Sequence, residues 1–169
     1  MKSLFTVITV LSCIALSCNS NTPATSKTDA DTSATSTASS KTDMLEKNKA
    51  AALASVQGVI SHNASEVFKD AASDIVDYAD GSMPPVKGLD SCKVFFQTFL
   101  TAFPDIKAEN LMAIAEGNHV AIFGDWSATF KGEMMGMKPT GKSFKVKDVD
   151  LFTFNDEGKI TEHHNVQSS

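Results

Sequence analysis

The sequence predicts an α+β domain in which a curved antiparallel sheet wraps around helices near the amino terminus. Apolar residues recur at helical spacing as far as Phe103, and from Ile106 onward they alternate with polar residues. Turn-rich segments separate the alternating runs. Helices followed by an antiparallel meander are typical of α+β domains, because a sheet with one apolar face must bury that face against another layer.

Residues 1–17 have the composition of a signal peptide. Met1 and Lys2 give a short basic start, and the apolar core from Leu4 to Leu16 is too short to span a bilayer. The following Cys18 ends a stretch that resembles the lipobox of bacterial lipoproteins, so Cys18 is the lipidation candidate. We expect a bacterial cell-envelope protein held to the membrane only by this lipid anchor, or a secreted protein if the cysteine is not acylated.

Residues 18–43 are rich in Ser, Thr, Ala, Lys and Asp and contain no aromatic or large aliphatic residue after the cysteine. Such a segment buries too little apolar surface to offset its chain entropy. The sequence therefore predicts a disordered tether here, followed by a single folded domain at residues 44–169.

The folded domain is expected to contain three helices, two before its first strand and one after that strand. The first helix is rich in Ala, Leu, Lys and Glu, Asn63 is a good amino-terminal cap for the second, and Pro104 ends the third. The predicted helices are Met44–Ser61, a short one from Asn63 through Phe68, and Leu89–Phe103.

Five strands are predicted from alternating polarity between turns. One parity of the third strand is wholly apolar, from Val120 through Trp126 to Phe130, so that face is expected to be buried. The predicted strands are Asp74–Tyr78, Ile106–Ala115, His119–Lys131, Ser143–Asn155 and Lys159–Gln167.

Charge and cysteine content exclude several classes of function. The chain has a formal net charge of −5 and its lysines are scattered, which argues against a nucleic-acid partner. If Cys18 is acylated and the signal peptide removed, Cys92 is the one remaining thiol, so no disulfide and no Cys/His zinc spacing is expected. The apolar helical surroundings of Cys92 favour a buried structural thiol over a nucleophile.

Four stretches together resemble the SnoaL-like polyketide or ester cyclases, within the nuclear transport factor 2-like superfamily. They are Phe103-Pro104-Asp105, Gly117–Ile122, the loop Gly132–Lys142 and the ending Gly158–His164. The resemblance implies a cone formed by a bent sheet and helices around an apolar pocket for a small hydrophobic ligand, often in a homodimer. It also implies proton transfer by pocket side chains during an aldol-type ring closure, with no metal and no cofactor.

The sequence departs from the family pattern at two places. Family members commonly have a Thr-His pair where this chain has Thr129-Phe130, and His-Trp-Asp where it has His163-His164-Asn165. An asparagine can form hydrogen bonds but cannot exchange a proton at neutral pH. The family aspartate at position 165, which the resemblance associates with acid/base chemistry, is therefore missing.

The two neighbouring histidines of the last strand cannot both bind one metal ion, because successive side chains on a strand point to opposite faces. Parity places His163 and Asn165 on one face. If Asn155 pairs with Gly158 across a two-residue turn, Asp150 lies opposite His163 and Asp148 lies opposite Asn165. A three-residue turn would shift the register by one residue and put His164 in the place of His163.

These estimates predict a polar patch inside an apolar cone. Asp150 and His163 are the candidate catalytic pair, since a carboxylate beside an imidazole at low dielectric can move a proton. The alternative is an ion pair that only fixes the sheet. Candidate ligand-binding residues are Tyr78, Trp126, Phe130, Asp148, His164 and Asn165. Two functions stay open: an enzyme of cyclase or isomerase type, and a non-catalytic small-molecule-binding or dimeric scaffold lipoprotein.

Overall fold

The computed structural model of the chain describes residues 32–167, which form three helices and six strands. Cys18, the predicted signal peptide and the first part of the predicted tether lie outside the described residues. The elements are α1 Thr32–Ile60, α2 Ala64–Val67, β1 Ala71–Asp77, β2 Val86–Lys87, α3 Leu89–Ala102, β3 Lys107–Glu116, β4 His119–Thr129, β5 Ser143–Phe154 and β6 Ile160–Gln167.

Helix α1 begins at Thr32, well before the predicted start at Met44. This corrects the tether prediction for residues 32–43, which are helical. The physical reason is that no Pro or Gly interrupts the chain between Thr32 and Gln57, so nothing in the backbone stops the helix. Residues 40–44 are exposed, and the buried face of the helix begins further on, at Asn48 and Ala52.

The six strands form one curved, unclosed sheet in the order β2-β1-β6-β5-β4-β3. Strands β3 to β6 form the predicted antiparallel meander. The α+β prediction is confirmed, with one correction: β1 pairs with β6 in parallel, so the sheet is mixed. Strand β2 was not predicted, because Val86 and Lys87 are too few residues to show an alternating pattern.

The core lies between the inner face of the sheet and the helices. The apolar parity of β4 is buried as predicted, with Val120 1% exposed, Ile122 0% and Trp126 7%. Ala52 and Val56 of α1 pack against it from the helical layer. Asn63 caps α2 as predicted, its side-chain oxygen accepting hydrogen bonds from two backbone N–H groups.

The end of α3 is fastened to the end of β4 by short polar contacts. Asp105 accepts hydrogen bonds from the Thr129 N–H at 2.8 Å and from Lys131 Nζ at 2.8 Å. The Gly132 backbone passes so close that an added Cβ would lie 2.2 Å from the Thr101 carbonyl oxygen. This contact fixes where the loop after β4 leaves the sheet.

The described helices give no sign of a membrane span. None of those between residues 32 and 167 combines the length and the apolar character that crossing a bilayer requires.

Candidate functional site

A cavity of about 530 Å³ lies between the helices and the inner face of the sheet. Its wall is mostly aromatic and apolar, and most of its charged side chains come from strands β1, β5 and β6. The aromatic wall residues are Phe68, Phe95, Phe96, Phe99, Phe103, Trp126, Phe144 and Phe152. The polar ones that the site uses are Asp77, Asp148, Asp150, His163 and Asn165.

The β5–β6 hairpin brings the polar side chains together, but in a register that differs from the predicted one. Asp150 lies opposite Asn165, and Phe152 lies opposite His163. The predicted pairs Asp150–His163 and Asp148–Asn165 are therefore not directly opposite each other. The register has moved by two residues, which leaves the predicted face of every side chain unchanged.

Two local features cause the shift of the hairpin. The turn is one residue longer than predicted, because the Asn155 N–H donates to the Lys159 carbonyl oxygen at 2.9 Å. Gly158 ends this turn with a φ of 73°, a left-handed conformation that favours glycine. A second shift of one residue follows between the pairs Phe154–Ile160 and Thr153–Glu162. Together the two shifts restore the parity that a single one would have reversed.

His163 is held between two carboxylates. Its Nε2 lies 3.2 Å from Asp150 Oδ1, a diagonal contact across the hairpin, and its Nδ1 lies 3.0 Å from Asp77 Oδ1. The predicted proximity of Asp150 and His163 is thus present in the structure. With both ring nitrogens facing carboxylate oxygens, the imidazole is placed to donate from both sides.

Asp77 was not among the predicted site residues. Parity in the first strand places it with the buried Ile75 on the inner face, so its direction could have been inferred from the sequence. Its partner could not, because Asp77 meets His163 only through the parallel pairing of β1 with β6. Strands 86 residues apart carry no local signal of such pairing.

The two carboxylates keep His163 charged. Burial alone would lower the pKa of the imidazole, but hydrogen bonds to Asp150 and Asp77 outweigh burial and raise that pKa to about 10. Burial would likewise raise the pKa of Asp77, and the hydrogen bond and positive charge of His163 lower it instead. At neutral pH His163 is therefore an imidazolium, held between Asp77 and Asp150.

Asp148 lies two residues before Asp150 on the same strand and is held by Asn165. The Asn165 Nδ2 donates to Asp148 Oδ2 at 2.6 Å and lies 3.3 Å from Asp150 Oδ1. The Val149 N–H donates to the other oxygen of Asp148. Burial, with the neighbouring charge of Asp150, raises the pKa of Asp148 despite the hydrogen bond from Asn165.

Two buried polar atoms of the cavity wall have no partner within the described residues. They are the indole nitrogen Nε1 of Trp126 and the oxygen Oδ2 of Asp150. Both side chains are almost fully enclosed, with 7% and 5% of their surface exposed. Buried polar groups without partners are uncommon in folded proteins, and each one calls for an explanation.

Three of the predicted ligand-binding residues lie away from the cavity. Tyr78 stacks on His164 with ring centroids 4.3 Å apart and planes 5° from parallel. Phe130 packs against Phe103 at 5.5 Å. None of Tyr78, Phe130 and His164 is among the residues that line the cavity, whereas Trp126, Asp148, Asn165 and the pair Asp150 and His163 are.

A short methionine hairpin stands beside the cavity. Met134 and Met137 exchange two backbone hydrogen bonds, and positive φ at both Met135 and Gly136 is typical of a type I′ turn. The three methionines line the cavity, while Met135 and Met137 are also more than half exposed. Flexible methionine side chains adapt to apolar partners of varied shape.

No metal centre is formed by the residues that the structure describes. Among residues 32–167, no three His, Cys, Asp or Glu side chains converge as a metal site requires. Cys92 is buried, and burial raises the pKa of its thiol, so it is not poised as a nucleophile.

Comparison with known proteins is consistent with this architecture. The sequence profile of the family described as SnoaL-like polyketide cyclase matches residues 50–167. The structure of AclR from Streptomyces galilaeus is similar, with 32% identity, a TM-score of 0.58, and coverage of 73% of this chain and 80% of AclR. No curated protein matches the chain.

Two further structures show the shared fold at lower identity. IdmH from Streptomyces antibioticus, named a polyketide cyclase, has 22% identity and a TM-score of 0.57, covering 72% of this chain and 91% of its own. A protein from Xanthomonas campestris pv. campestris, also named a polyketide cyclase, has 14% identity and a TM-score of 0.66, covering 74% of this chain and 93% of its own. With the family profile extending over most of the chain, this protein belongs to the SnoaL-like polyketide cyclase family and has the nuclear transport factor 2-like fold.

Proposed function

We propose that this domain binds a small apolar molecule in its cavity and moves a proton on it, in chemistry of the cyclase or isomerase type. The observation that carries the proposal is the carboxylate of Asp150, which is buried in an apolar wall and has one oxygen without a partner. A desolvated carboxylate with a free oxygen is suited to accept a proton from carbon.

The proton acceptor in this proposal is Asp150 rather than His163. With a pKa of about 10, His163 is already protonated at neutral pH and has no lone pair to offer. Its role is to donate to Asp150 Oδ1 and so fix the orientation of the carboxylate. Asp77 orients the ring from the opposite side. Asn165 donates to both Asp148 and Asp150 and so bridges the two carboxylates.

The reaction begins at a carbon next to a carbonyl group of the ligand. Asp150 Oδ2 takes a proton from that carbon, the C–H electron pair moves into the carbon skeleton, and the carbonyl oxygen gains negative charge as an enolate. In a ring closure the enolate carbon then attacks a second carbonyl of the same molecule and forms a C–C bond. The proton held by Asp150 passes to the new alkoxide, so the sequence of steps is balanced within one molecule.

The absence of a carboxylate at position 165 favours a second candidate function. In this alternative the cavity only binds a hydrophobic molecule, and the domain serves as a non-catalytic binding or dimeric scaffold lipoprotein. The observation behind it is that Asn165, an amide that cannot exchange a proton, donates to both neighbouring carboxylates. In that case the ion pairs of His163 serve only to hold β1, β5 and β6 together.

Proton exchange at carbon separates the two functions. A panel of β-dicarbonyl compounds is incubated in deuterated water with the wild-type protein, and deuterium uptake is followed by nuclear magnetic resonance. We expect exchange above the buffer rate with the wild type, and a fall of roughly a hundredfold or more with Asp150→Asn. His163→Ala is the companion variant, because it leaves the carboxylate but removes the group that fixes it. If the compounds bind and no exchange is seen, the binding-only function stands.

Membrane anchoring is proposed on sequence grounds alone. Acylation of Cys18 would place the domain at the surface of a bacterial envelope membrane, with the following residues as a spacer. The test is metabolic labelling with a radioactive or alkynyl fatty acid, followed by separation of membrane and soluble fractions. We expect label and membrane association with the wild type and neither with Cys18→Ser. Labelling that survives this substitution would contradict the assignment.

A further inference from the structure

We propose that the mouth of the cavity docks on an anionic membrane surface through the methionine hairpin, residues Met134 to Met137, and the lysines that follow it. Apolar side chains at the tip of the hairpin enter the interface, and the lysines bind phosphate headgroups. The sequence predicts attachment by a lipid anchor at Cys18 alone. The docking surface is a second contact, which depends neither on acylation nor on proton transfer in the cavity.

The hairpin is a defined turn with apolar side chains exposed to solvent. Met134 and Met137 exchange two backbone hydrogen bonds, of 3.1 and 2.9 Å, so Met135 and Gly136 form the tip. Met135 is 54% exposed and Met137 is 56% exposed. Single exposed apolar residues are common on protein surfaces, but neighbouring ones on an exposed turn are typical of interaction sites.

The hairpin stands where the cavity meets solvent. Met135 and Met137 line the cavity and are also more than half exposed, so they belong both to its wall and to the outer surface. Phe144 shares this property, with 36% of its surface exposed. The loop between β1 and β2 contributes Ser82 and Met83 to the same wall. The exposed apolar surface of the hairpin therefore leads directly into the apolar cavity.

The chain around the hairpin is basic, although the whole protein is acidic. Residues 131–147 contain five lysines and one acidic residue, whereas the complete chain has a formal net charge of −5. Two of these lysines form ion pairs with aspartates. The other three are exposed and form no ion pair within residues 32–167; they are Lys138, Lys142 and Lys145. The segment thus offers free positive charge to anionic headgroups.

Backbone pairing keeps these lysines close to the hairpin. The Phe130 N–H donates to the Lys142 carbonyl oxygen at 3.0 Å, so the loop between the two residues starts and ends at the same point of the sheet. Lys138 directly follows the hairpin inside that loop, and Lys145 lies in the first turn of residues of β5. Long lysine side chains at the base of the loop can therefore reach headgroups when the tip of the hairpin lies at the membrane.

The composition of this surface fits a bilayer better than a protein partner. Trp, Tyr and Arg contribute most of the energy of protein interfaces, and Lys is depleted there. Residues 131–147 contain five lysines and no Trp, Tyr or Arg. Lysine can bind an anionic headgroup while its stem lies along apolar surface, and flexible methionine adapts to varied apolar surroundings.

Docking in this orientation places the cavity mouth at the lipid phase. An apolar ligand then passes between the bilayer and the cavity without exposing its apolar surface to water, which is unfavourable. This consequence rests on the proposed function, because it concerns the ligand of the cavity. The docking surface itself does not rest on it.

Sedimentation with vesicles tests the docking surface. The full chain with Cys18→Ser is mixed with vesicles of phosphatidylcholine alone, or of equal parts of phosphatidylcholine and phosphatidylglycerol. We expect a partition coefficient about tenfold higher on the anionic vesicles, and a loss of this difference as the salt concentration rises from about 0.1 to about 1 M. The apolar segment Leu4 to Leu16 is present in every variant, so its contribution cancels in the ratios between variants.

Two variants separate the apolar part of the surface from the basic part. Met135→Asn removes an apolar side chain and gives the turn an Asn-Gly sequence, which type I′ turns favour, so the hairpin is retained. We expect it to weaken binding roughly fivefold on both kinds of vesicle. Lys138→Gln combined with Lys142→Gln should weaken binding about tenfold on the anionic vesicles and leave binding to phosphatidylcholine unchanged.

Exposed residues of α3 provide the matched control. Lys93→Gln combined with Val94→Gln removes one lysine and one apolar side chain that is 69% exposed, and neither residue lines the cavity. Binding to both kinds of vesicle should be unchanged in this control. Circular dichroism of each variant establishes that the fold is retained.

Hydrogen–deuterium exchange by mass spectrometry locates the contact. We expect anionic vesicles to slow exchange in the peptide that contains Met134 to Met137 and to leave exchange in α3 unchanged. Equal binding to the two kinds of vesicle would overturn the docking surface, as would hairpin and lysine variants that bind as tightly as the α3 control. Slowed exchange that spares the hairpin would overturn it too. None of these outcomes affects the proposed function, because proton exchange on β-dicarbonyl compounds is measured without membranes.

Discussion

At the scale of single residues, the charge of His163 links the site to folding. Its pKa rises from an ordinary value of 6.5 to about 10, so the folded state holds a proton that the unfolded chain releases at lower pH. The resulting stabilisation is fully present below pH 6.5 and is lost as the pH rises through about 10. We expect the free energy of unfolding to fall by a few kcal/mol over this window.

Urea denaturation across this pH window measures the effect as a difference between wild type and His163→Gln. The glutamine variant should show a much flatter pH dependence, because it has no proton to lose. Ionisation of Cys92 is common to both proteins and cancels in the difference. His164→Gln is the matched control, since His164 stacks on Tyr78 outside the cavity. The assignment of this effect to His163 would be contradicted if the pH dependence of stability disappeared in His164→Gln and persisted in His163→Gln.

Asn165 gives a second expectation at the residue scale. Asn165→Asp removes the amide that donates to Asp148 and Asp150 and adds a like charge beside them. We expect a loss of about 1–3 kcal/mol in the free energy of unfolding at neutral pH. The loss should shrink in acid, because the new carboxyl has a raised pKa and becomes neutral there first.

Chemical denaturation at neutral and acidic pH checks this expectation against a surface control. Asn110→Asp makes the same chemical change at an exposed site, where the Asn110 amide donates to Asp125 Oδ2 at 2.7 Å. Exposed polar contacts contribute little, so this control should change stability by less than about 1 kcal/mol. Equal losses of stability in the two variants would mean that the hydrogen bonds of Asn165 to the carboxylates contribute no more than an exposed contact.

Residue types and strand parity were sufficient to predict the part of the polar wall that β5 and β6 provide. Alternation along β5 and β6 placed Asp148, Asp150, His163 and Asn165 on one face, and that face lines the cavity. What parity could not supply was Asp77, whose contact with His163 depends on a parallel pairing between distant strands. The aromatic residues Tyr78 and Phe130 were misplaced for a related reason, because neither lies inside a regular strand whose face is defined.

At the scale of elements, Gly58 tests how closely α1 packs on α2. Alanine stabilises a helix by about 1 kcal/mol relative to glycine, so propensity alone favours Gly58→Ala. The added Cβ, however, would lie 2.6 Å from the Val67 backbone nitrogen and 2.8 Å from its Cγ2. Backbone atoms cannot move aside cheaply, and such crowding costs about 1–3 kcal/mol. We therefore expect a net decrease in stability.

Thermal and urea denaturation of Gly58→Ala give the sign of this competition. The matched control is Gln57→Ala on the neighbouring exposed position, which should change stability by less than about 0.5 kcal/mol. If Gly58→Ala is more stable than the wild type, α2 moves away from α1 more freely than the contact distances imply.

Element types and bounds followed from the sequence more completely than their pairing did. Periodicity and capping signals located α3 and the four meander strands to within two residues at either end, because both are local properties. The register of the β5–β6 hairpin at Gly158 could not be predicted in the same way. Alternating polarity does not reveal a turn that is one residue longer or a bulge in the strand. The predicted inner face of β6 was preserved only because both occur together.

At the scale of the whole molecule, one row of side chains across the outer face of the sheet is apolar and partly exposed. Met112, Phe123, Val149 and Val166 are paired in turn across β3, β4, β5 and β6, so they form one continuous row. Met112 is 53% exposed and Val166 is 55% exposed. Contiguous exposed apolar surface on a folded domain commonly marks an interaction site.

We expect a second copy of this chain to cover that row. Two such sheets related by a two-fold axis present the same apolar row to each other, which is the self-complementarity that a symmetric dimer requires. Static light scattering after gel filtration should give the mass of a dimer for the domain at micromolar concentration. Ile114→Lys, which places a charge next to the row on a residue 52% exposed, should yield monomers.

Val94→Lys separates an interface effect from a general effect of surface charge. Val94 is 69% exposed on α3, away from the outer face of the sheet, so the same substitution there should leave the dimer intact. Asp77, Asp150 and His163 of the candidate site line the cavity on the opposite side of the sheet. Dissociation by Ile114→Lys should therefore leave binding of the β-dicarbonyl compounds unchanged, because the cavity is built within one chain. A wild-type domain that remains monomeric at these concentrations would contradict the proposed dimer and leave the cavity proposal standing.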